Sequence, residues 1–390
     1  MYEVSEEEVE YLERVTEELH AMAVQAAHRM VDERGIMARL GLPPKATDMV
    51  RASLLGSDSS ITLYGRFDLA YDGTGPAKLL EYNADTPAGL VEAAVTQWYW
   101  LEDMMPDYDQ WNMLHERLAQ AWTRYARDPG IPDGVVHFAV GANEPNEDWA
   151  TVAYLRDTAR EAGLMELGIT MEEIGWHHGR RFFVDTFGRE IVTCFKMYPW
   201  EWMLAESFGR YLLDGSSSTT WIEPVWKTLL GSKALLPVLW EMFPGHESLL
   251  PAYFDGPRDL DRYVVKPMFG WEGAGVRIHE ANGALIAGRP ERHAAGQECV
   301  YQQFVDLPWF AGGNYAILGT WMVGGHAAGL GIRESDHLVT GTDARFVPHF
   351  LNAPRSTPEQ VAAWIADGEA PREQSPLGEQ EEHAKGGYQS

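Results

Sequence analysis

The sequence contains only two cysteines, Cys194 and Cys299, among its 390 residues. Two thiols cannot form a disulfide framework or a cysteine-rich zinc site. Strand-forming residues flank each cysteine. Each is therefore predicted to be a small buried apolar residue rather than a nucleophile.

Basic residues are scarce compared with acidic ones. The chain has 31 Lys and Arg against 58 Asp and Glu, which gives a formal net charge of -27. Binding to nucleic acid or to an anionic membrane requires a basic face, so the charge argues against both. A cationic substrate such as a polyamine would suit this charge, although an acidic balance is also a common solubility feature.

The sequence also lacks targeting segments and the familiar phosphate-binding fingerprints. No uninterrupted apolar run is long enough to span a membrane, and the acidic N-terminus does not resemble a signal peptide. We therefore predict a cytoplasmic protein. No GxGxxG or GxxxxGK[ST] motif is present, which argues against a dinucleotide fold and a P-loop enzyme. A bound nucleotide would need another phosphate-binding element.

The patterns that are present predict a globular α/β protein. Ser5 and Glu8 have capping-box spacing at the start of a long amphipathic helix that ends near Gly35. The middle of the chain predicts a βαβ-like layer and a following helix. Its expected elements are strands at Val135–Val140, Glu172–Gly175 and Arg181–Val184, with helices at Asp148–Ala162 and about Glu201–Leu213.

The segment from Tyr64 to Ala93 carries the first candidate site. It predicts two short strands around a glycine-rich turn. Residues two apart on a strand point the same way, so Arg66 and Asp68 share one face, and Glu81 and Asn83 share another. Two carboxylates and a carboxamide beside a guanidinium could bind a hard cation and an anion. A solvated hairpin with a charged face would give the same spacing.

Two lysines and a glycine-rich loop form a second candidate group. Lys233 precedes an apolar helix, where it could equally be a solvated cap. Lys266 ends a β-branched strand, and a loop with glycines follows it. Backbone amides of glycine loops can bind phosphate oxygens, and a lysine supplies a point charge. The next predicted strand, Cys299–Val305, includes Gln302 and Gln303 and could meet adenine.

Seven segments in one order strengthen this interpretation. They are YGRFD, LLEYNADTPAGLVEA, KMYPWEWM, GSKALLPVLWEMFPGH, VVKPMFGWEGAGV, YQQFVDLP and GLGIRESDHLV. Together they resemble the synthetase domain of the glutathionylspermidine synthase family over roughly residues 62–347. The resemblance implies an ATP-grasp-like architecture with two lobes around ATP, preceded by an N-terminal helical region. It also implies that a carboxylate is activated as an acyl phosphate and attacked by an amine.

The resemblance also implies a role for individual residues. A catalytic role falls on Arg66 and, near the acid substrate, on Arg333. The remaining matches are the magnesium ligands Asp68, Glu81 and Asn83, the ATP-phosphate lysines Lys233 and Lys266, the loop glycines Gly270, Gly273 and Gly275, and the adenine-side residues Gln302 and Gln303.

The expected partners are a small-molecule or peptide carboxylate and an amine, and the expected cofactors are ATP and Mg²⁺. Residues 1–354 should form the synthetase domain, with no amidase domain ahead of it. The polar tail, residues 355–390, should be disordered apart from a short helix at Val361–Ile365.

Two departures from the family pattern leave the function open. Trp271 stands where the family loop commonly has an arginine. In the family, two small hydroxyl residues help to hold glutathione; Thr86 matches the first, whereas Ala88 replaces the second. Losing a cation removes a potential phosphate contact. The chain could be an active ligase with an altered substrate pocket, or a regulatory protein that binds nucleotide without turnover.

Overall fold

The computed structural model of the protein describes residues 1–56, 62–127, 131, 134–215, 217–290, 296–310 and 313–355. The tail predicted at 355–390 and its short helix lie outside the described residues, apart from Arg355. The domain boundary at residue 354 stays a prediction. No helix in the described ranges is long and apolar enough to cross a membrane.

The largest sheet is antiparallel and contains the hairpin predicted in the segment from Tyr64 to Ala93. Its strands follow the order β18, β17, β16, β2, β3, and β15 also pairs with β16. Because β2 pairs with β16, the early and late hairpins of the sequence lie side by side. The bounds are β2 Tyr64–Ala70, β3 Lys78–Asn83, β15 Trp309–Phe310, β16 Asn314–Val323, β17 His326–Ser335 and β18 Arg345–Val347.

A second antiparallel sheet carries Lys266 near the end of β11, as predicted. Its strand order is β10, β14, β11, β12, β13. The bounds are β10 Ala252–Tyr253, β11 Arg262–Pro267, β12 Arg277–Glu280, β13 Leu285–Gly288 and β14 Cys299–Gln303. The glycine-rich loop connects β11 to β12.

A parallel sheet confirms the predicted βαβ layer. Its order is β5, β4, β8, β9, and helix α6 connects β4 to β5. The strand predicted at Glu172–Gly175 is wrong, because Thr170 and Glu173 form a capping box around a 3₁₀ turn. The bounds are β4 Val135–Val140, α6 Asn146–Glu161, β5 Met165–Thr170, β8 Thr193–Met197 and β9 Thr220–Ile222, with a separate hairpin of β6 Gly175–His177 and β7 Phe182–Val184.

The N-terminal helix α1, Glu6–Asp32, starts at the predicted capping box, in which the Glu8 backbone N–H donates to Ser5 Oγ over 3.2 Å. Its apolar face lies in the main core, and Thr16 donates to Thr320 Oγ1 of β16 over 2.9 Å. Before it, β1 (Tyr2–Val4) pairs in parallel with β19 (His349–Leu351). The helix therefore packs on the sheet that carries the candidate site.

The other helices are short. The helix predicted at 201–213 is two helices, because Glu206 is extended and the chain turns back at Gly209, where a Cβ would lie 2.6 Å from the Met203 carbonyl oxygen. A π-helical turn at Glu92–Thr96 precedes α4. The bounds are α2 Arg34–Arg39, α3 Ala46–Leu55, α4 Gln97–Met104, α5 Leu114–Arg127, α7 Trp200–Ala205, α8 Gly209–Leu213, α9 Lys227–Gly231 and α10 Leu235–Met242.

Both cysteines are free thiols. Cys194 is buried in β8, and burial raises the pKa of its thiol well above the usual range. This confirms the prediction of a buried apolar residue for Cys194. Cys299 is half-buried at the start of β14.

Candidate active site

The polar side chains of the β2–β3 hairpin lie on one face of the sheet. In the antiparallel register, Arg66 lies opposite Asn83 and Asp68 lies opposite Glu81. Directly opposed residues of such a pair project to the same face. Assigning the two pairs to different faces was wrong, because the register between two strands cannot be read from spacing within each strand.

Asp68 is held between two arginines. Arg66 donates to its carboxylate through Nε over 2.6 Å and Nη2 over 3.1 Å, and Arg333 of β17 donates to Oδ2 over 2.6 Å. Asp68 and Arg66 are buried, so these ion pairs are strong and any loss of a partner is costly. Arg66 also donates to the carbonyl of Ala88. Two guanidinium groups therefore face the cleft in fixed positions.

Glu81 and Asn83 lie next to Asp68. The Asn83 amide nitrogen is 3.3 Å from Asp68 Oδ2 and 3.2 Å from Glu81 Oε1. Lys233 approaches Glu81 Oε2 at 3.1 Å. Burial acts to raise the pKa of Glu81, but Lys233 and Lys266 outweigh it and hold the pKa well below its usual range. Glu81 is therefore an anion in this site.

The donor set fits magnesium. Mg²⁺ prefers oxygen ligands and is commonly held by one or two carboxylates, and Asp68 and Glu81 supply two beside the Asn83 amide. Within the described residues, no group of three or more His, Cys, Asp or Glu could hold a metal ion. A site here would thus use the carboxamide oxygen of Asn83, which rotation of the amide would present.

Lys266 has a defined position at the end of β11. Its Nζ donates to the Leu80 carbonyl and to Gln302 Oε1, each over 2.7 Å. Burial lowers the pKa of Lys266 to about 8, partly offset by Glu81. The second sheet thus brings a lysine directly to strand β3 of the first sheet.

The side chain of Gln302 is hydrogen-bonded to Lys266, a contact that the sequence did not predict. Its side chain is buried, accepts from Lys266 and donates from Nε2 to the Leu79 carbonyl over 2.9 Å. Both functional ends of the amide are used, so Gln302 fixes the lysine between the sheets. Gln303, the next residue, is exposed and borders the same cleft.

Replacing Gln302 with leucine is expected to weaken ATP binding by roughly 10- to 100-fold, because a lost hydrogen bond to a charged group costs roughly 1.5–3 kcal/mol. The measurement is ATP affinity by titration calorimetry, with Gln120→Leu as the control, because Gln120 is exposed on α5 and does not border the cleft. Equal affinities for Gln302→Leu and the unaltered protein would contradict the positioning role.

Only part of the glycine loop borders the cleft. Gly270 and Gly273 border the cleft, whereas Gly275 does not, and its amide donates to the Pro290 carbonyl over 3.1 Å. Gly273 has a φ of +70°, and a Cβ there would lie 2.5 Å from the Thr340 carbonyl oxygen. Close contact with the loop around Thr340 therefore requires glycine at 273.

Trp271 packs across to the parallel-sheet region. Its ring meets Trp202 of α7 edge to face, with centroids 4.9 Å apart and an interplanar angle of 69°. The position that the family pattern gives to a cation is thus occupied by an aromatic contact between the loop and α7.

The two antiparallel sheets and the glycine loop surround one cleft with an empty volume of about 1390 Å³. Every predicted site residue except Gly275 borders it: Arg66, Asp68, Glu81, Asn83, Lys233, Lys266, Gly270, Gly273, Gln302, Gln303 and Arg333. Sequence reasoning missed Glu147, Phe346 and the segment 338–342, which also border the cleft. The acidic NEPNEDW segment, which contains Glu147, could have indicated a site residue, but the same composition is equally typical of a polar loop.

A second cavity, with an empty volume of about 1170 Å³, adjoins the first and is acidic. Glu144, Glu147, Asp148 and Glu272 border it, as do the rings of Trp202 and Trp271. Burial and the neighbouring carboxylates raise the pKa of Asp148 to about 7. We call this the acidic pocket.

The sheets around a cleft with paired lysines, arginines and carboxylates define the class of this protein: an ATP-dependent acid–amine ligase with an ATP-grasp-like α/β fold. The chain belongs to the glutathionylspermidine synthase preATP-grasp family, whose model matches residues 1–352.

Related proteins agree with this assignment. The chain is 38% identical to a protein of Haemophilus influenzae that carries the name of an acid–amine ligase, over 90% of this chain and 89% of the relative. It is 26% identical to trypanothione synthetase of Crithidia fasciculata, over 84% of this chain and 53% of that protein, so it spans about half of that relative. A glutathione synthetase-like effector of Globodera pallida shares the fold, with a TM-score of 0.55 at 10% identity over 90% of this chain and 88% of that one.

Proposed function

We propose that the protein uses ATP and Mg²⁺ to activate a carboxylate as an acyl phosphate and then joins it to an amine. One observation carries the proposal: Arg66, Arg333, Lys233 and Lys266 converge on the carboxylates of Asp68 and Glu81 in one cleft. Phosphoryl transfer needs positioning and charge stabilisation rather than a protein nucleophile.

The cationic side chains have complementary places in the first step. Lys233, between α9 and α10, and Lys266, on β11 of the second sheet, both approach β3, where they can hold ATP phosphates. Arg66 and Arg333 lie on the largest sheet, where they can stabilise the acid oxygens as the phosphoryl group arrives. Magnesium held by Asp68, Glu81 and Asn83 would neutralise charge on the phosphates.

The remaining lining of the cleft suits a nucleotide base. Val264, Ile278 and Phe304 give one part of the wall an apolar character, as is common in pockets for cofactors and other small ligands. Gln303 borders this wall and remains our candidate for a polar contact with adenine. Gln302, in contrast, acts through Lys266.

The acidic pocket is the proposed place for the amine. An ammonium group would be attracted by Glu144, Glu147 and Glu272, and could also lie against a tryptophan face. The net charge of -27 favours the approach of the same cationic substrate. Spermidine is therefore the first amine to test.

The acid should be peptide-like and bind near Thr86 and Ala88, which border the cleft beside Arg66. Relatives carry names that refer to glutathionylspermidine and trypanothione, so glutathione is the first acid to test. Ala88 offers no side-chain hydroxyl, and Trp271 no charge. The panel should therefore include other peptide carboxylates besides glutathione.

The decisive experiment traps the acyl phosphate. The protein is incubated with ATP, Mg²⁺, hydroxylamine and each acid of the panel, and both ADP and hydroxamate are measured. We expect ADP and hydroxamate in equal amounts for at least one acid. No hydroxamate with any acid, despite normal ATP binding, would contradict the proposed function.

Lys266→Ala serves as the negative control, and we expect it to lower hydroxamate formation by about 100-fold or more, as for removal of one preorganised donor. The matched surface control is Lys78→Ala, at the far end of strand β3. A signal that survives in Lys266→Ala would come from another site or from a contaminant.

The alternative, nucleotide binding without turnover, is favoured by Trp271. Its contact with Trp202 replaces a cation that the family pattern places in the loop. In that case ATP would bind but no acid would give hydroxamate, and Trp271→Arg would restore it. Hydroxamate formation by the unaltered protein would exclude this alternative.

A further inference from the structure

We propose that Glu201 is the general base that takes a proton from the attacking amine. The inference rests on the proposed function and adds a catalytic residue to its second step. An amine is protonated at neutral pH and cannot attack until a base removes a proton. A carboxylate between the acyl phosphate and the amine pocket could do this.

Glu201 borders a small cavity at the junction of the two larger ones. That cavity shares Asn83 and Gly270 with the nucleotide cleft and Pro199 with the acidic pocket, while Thr86 and Trp271 border all three. The nucleotide cleft and the acidic pocket meet at Thr86 and Trp271, so a substrate nitrogen that moves from the acidic pocket toward an acyl group at Arg66 would pass beside the cavity that Glu201 borders.

The position of Glu201 is fixed by buried neighbours. Asp85, in the loop after β3, accepts from Lys196 Nζ over 2.5 Å and from the Trp200 backbone N–H over 3.0 Å. This contact holds the start of α7, which carries Glu201, against the loop that carries Thr86. The base is therefore anchored to the same segment that borders the proposed acid site.

The carboxylate of Glu201 has no ion pair within the described residues, so it is available to accept a proton. Burial, together with Asp85, raises its pKa to about 7, while Lys196 and Lys233 act in the opposite direction. A base works best when its pKa lies near the operating pH. Asp148 also has a raised pKa, but it borders the acidic pocket and not the nucleotide cleft.

The step balances with these groups. The ammonium group gives one proton to the Glu201 carboxylate, and the freed electron pair forms the C–N bond to the acyl carbon. The bond between the acyl carbon and the phosphate oxygen then breaks, and phosphate leaves with the electron pair of this C–O bond. The departing phosphate takes the second proton from nitrogen. The products are the amide, hydrogen phosphate and protonated Glu201.

The test compares two nucleophiles in Glu201→Gln, with an acid that gives hydroxamate in the unaltered protein. Hydroxylamine is largely uncharged at neutral pH and attacks without a base, whereas spermidine is protonated. We expect amide formation with spermidine to fall about 100-fold, while hydroxamate formation changes by less than about threefold. Glu206→Gln, an exposed carboxylate just after α7, is the matched control.

The pH profile gives an independent measurement. The base must be ionised, so kcat for spermidine should fall as the pH drops below about 7 in the unaltered protein, and this limb should be absent in Glu201→Gln. Equal loss with both nucleophiles, or loss with neither, would overturn the role of Glu201. Absence of hydroxamate in the unaltered protein would instead overturn the proposed function, and this inference with it.

Discussion

Replacing Asp68 with asparagine is expected to lower kcat of ligation by about 100–1000-fold, the cost of removing one preorganised electrostatic contact. Asparagine keeps the shape of the side chain but removes the charge that lies between Arg66 and Arg333. Both guanidinium groups would then lose their fixed position, and the proposed magnesium site would lose a carboxylate. The measurement is hydroxamate formation as a function of magnesium concentration.

The control for this prediction is Asp72→Asn, in the exposed turn of the same hairpin. It removes the same charge four residues further along the chain, outside the cleft, and should leave kcat unchanged. Circular dichroism must show that Asp68→Asn is folded at the assay temperature. A folded Asp68→Asn protein with unchanged kcat and magnesium dependence would contradict the assigned site.

The second large effect concerns stability and involves Glu223 and Lys227. Both side chains are buried and paired over 2.7 Å. Glu223 also accepts from the backbone N–H groups of Leu63 and Tyr64 over 2.9 and 3.0 Å. Glu223→Gln leaves the lysine charge without a counterion, so we expect the free energy of unfolding to fall by about 3–5 kcal/mol.

Urea denaturation measures this change. The matched control is Glu241→Gln, which breaks the exposed pair with Arg29 at a similar distance of 2.8 Å and should cost less than about 1 kcal/mol. Adding Lys227→Met to Glu223→Gln should recover part of the loss, because it removes the unpaired charge. A loss below about 1 kcal/mol in Glu223→Gln would show that solvent reaches the pair.

Local spacing predicted those parts of the site that lie on single strands or loops. The side-chain alternation of β2 and β3, the lysine at the end of β11 and the following glycine loop all depend on residues close in sequence. Glu223 could not be recognised in this way. Its partner Lys227 lies only four residues later, at the start of α9, but its other contacts are with Leu63 and Tyr64, about 160 residues earlier.

Contacts between side chains on separate strands and helices could be identified only from the folded structure. Gln302 lies on the predicted strand β14, yet only the pairing of β14 with β11 in the second sheet shows that its amide meets Lys266 rather than a base. The acidic pocket likewise combines the start of α6 with the glycine loop and α7. Such contacts depend on tertiary register, which a single sequence does not encode in its spacing.

The pairing of β1 with β19 has a consequence for biosynthesis. The Tyr2 backbone N–H donates to the Pro348 carbonyl over 2.9 Å, and the Tyr2 hydroxyl donates to Glu334, the neighbour of Arg333, over 2.7 Å. Strand β1 therefore has a partner that is synthesised some 345 residues later. The Tyr2 contact beside Arg333 is complete only when the chain has passed residue 351, so a nascent protein acquires its complete cleft only after β19 has been synthesised.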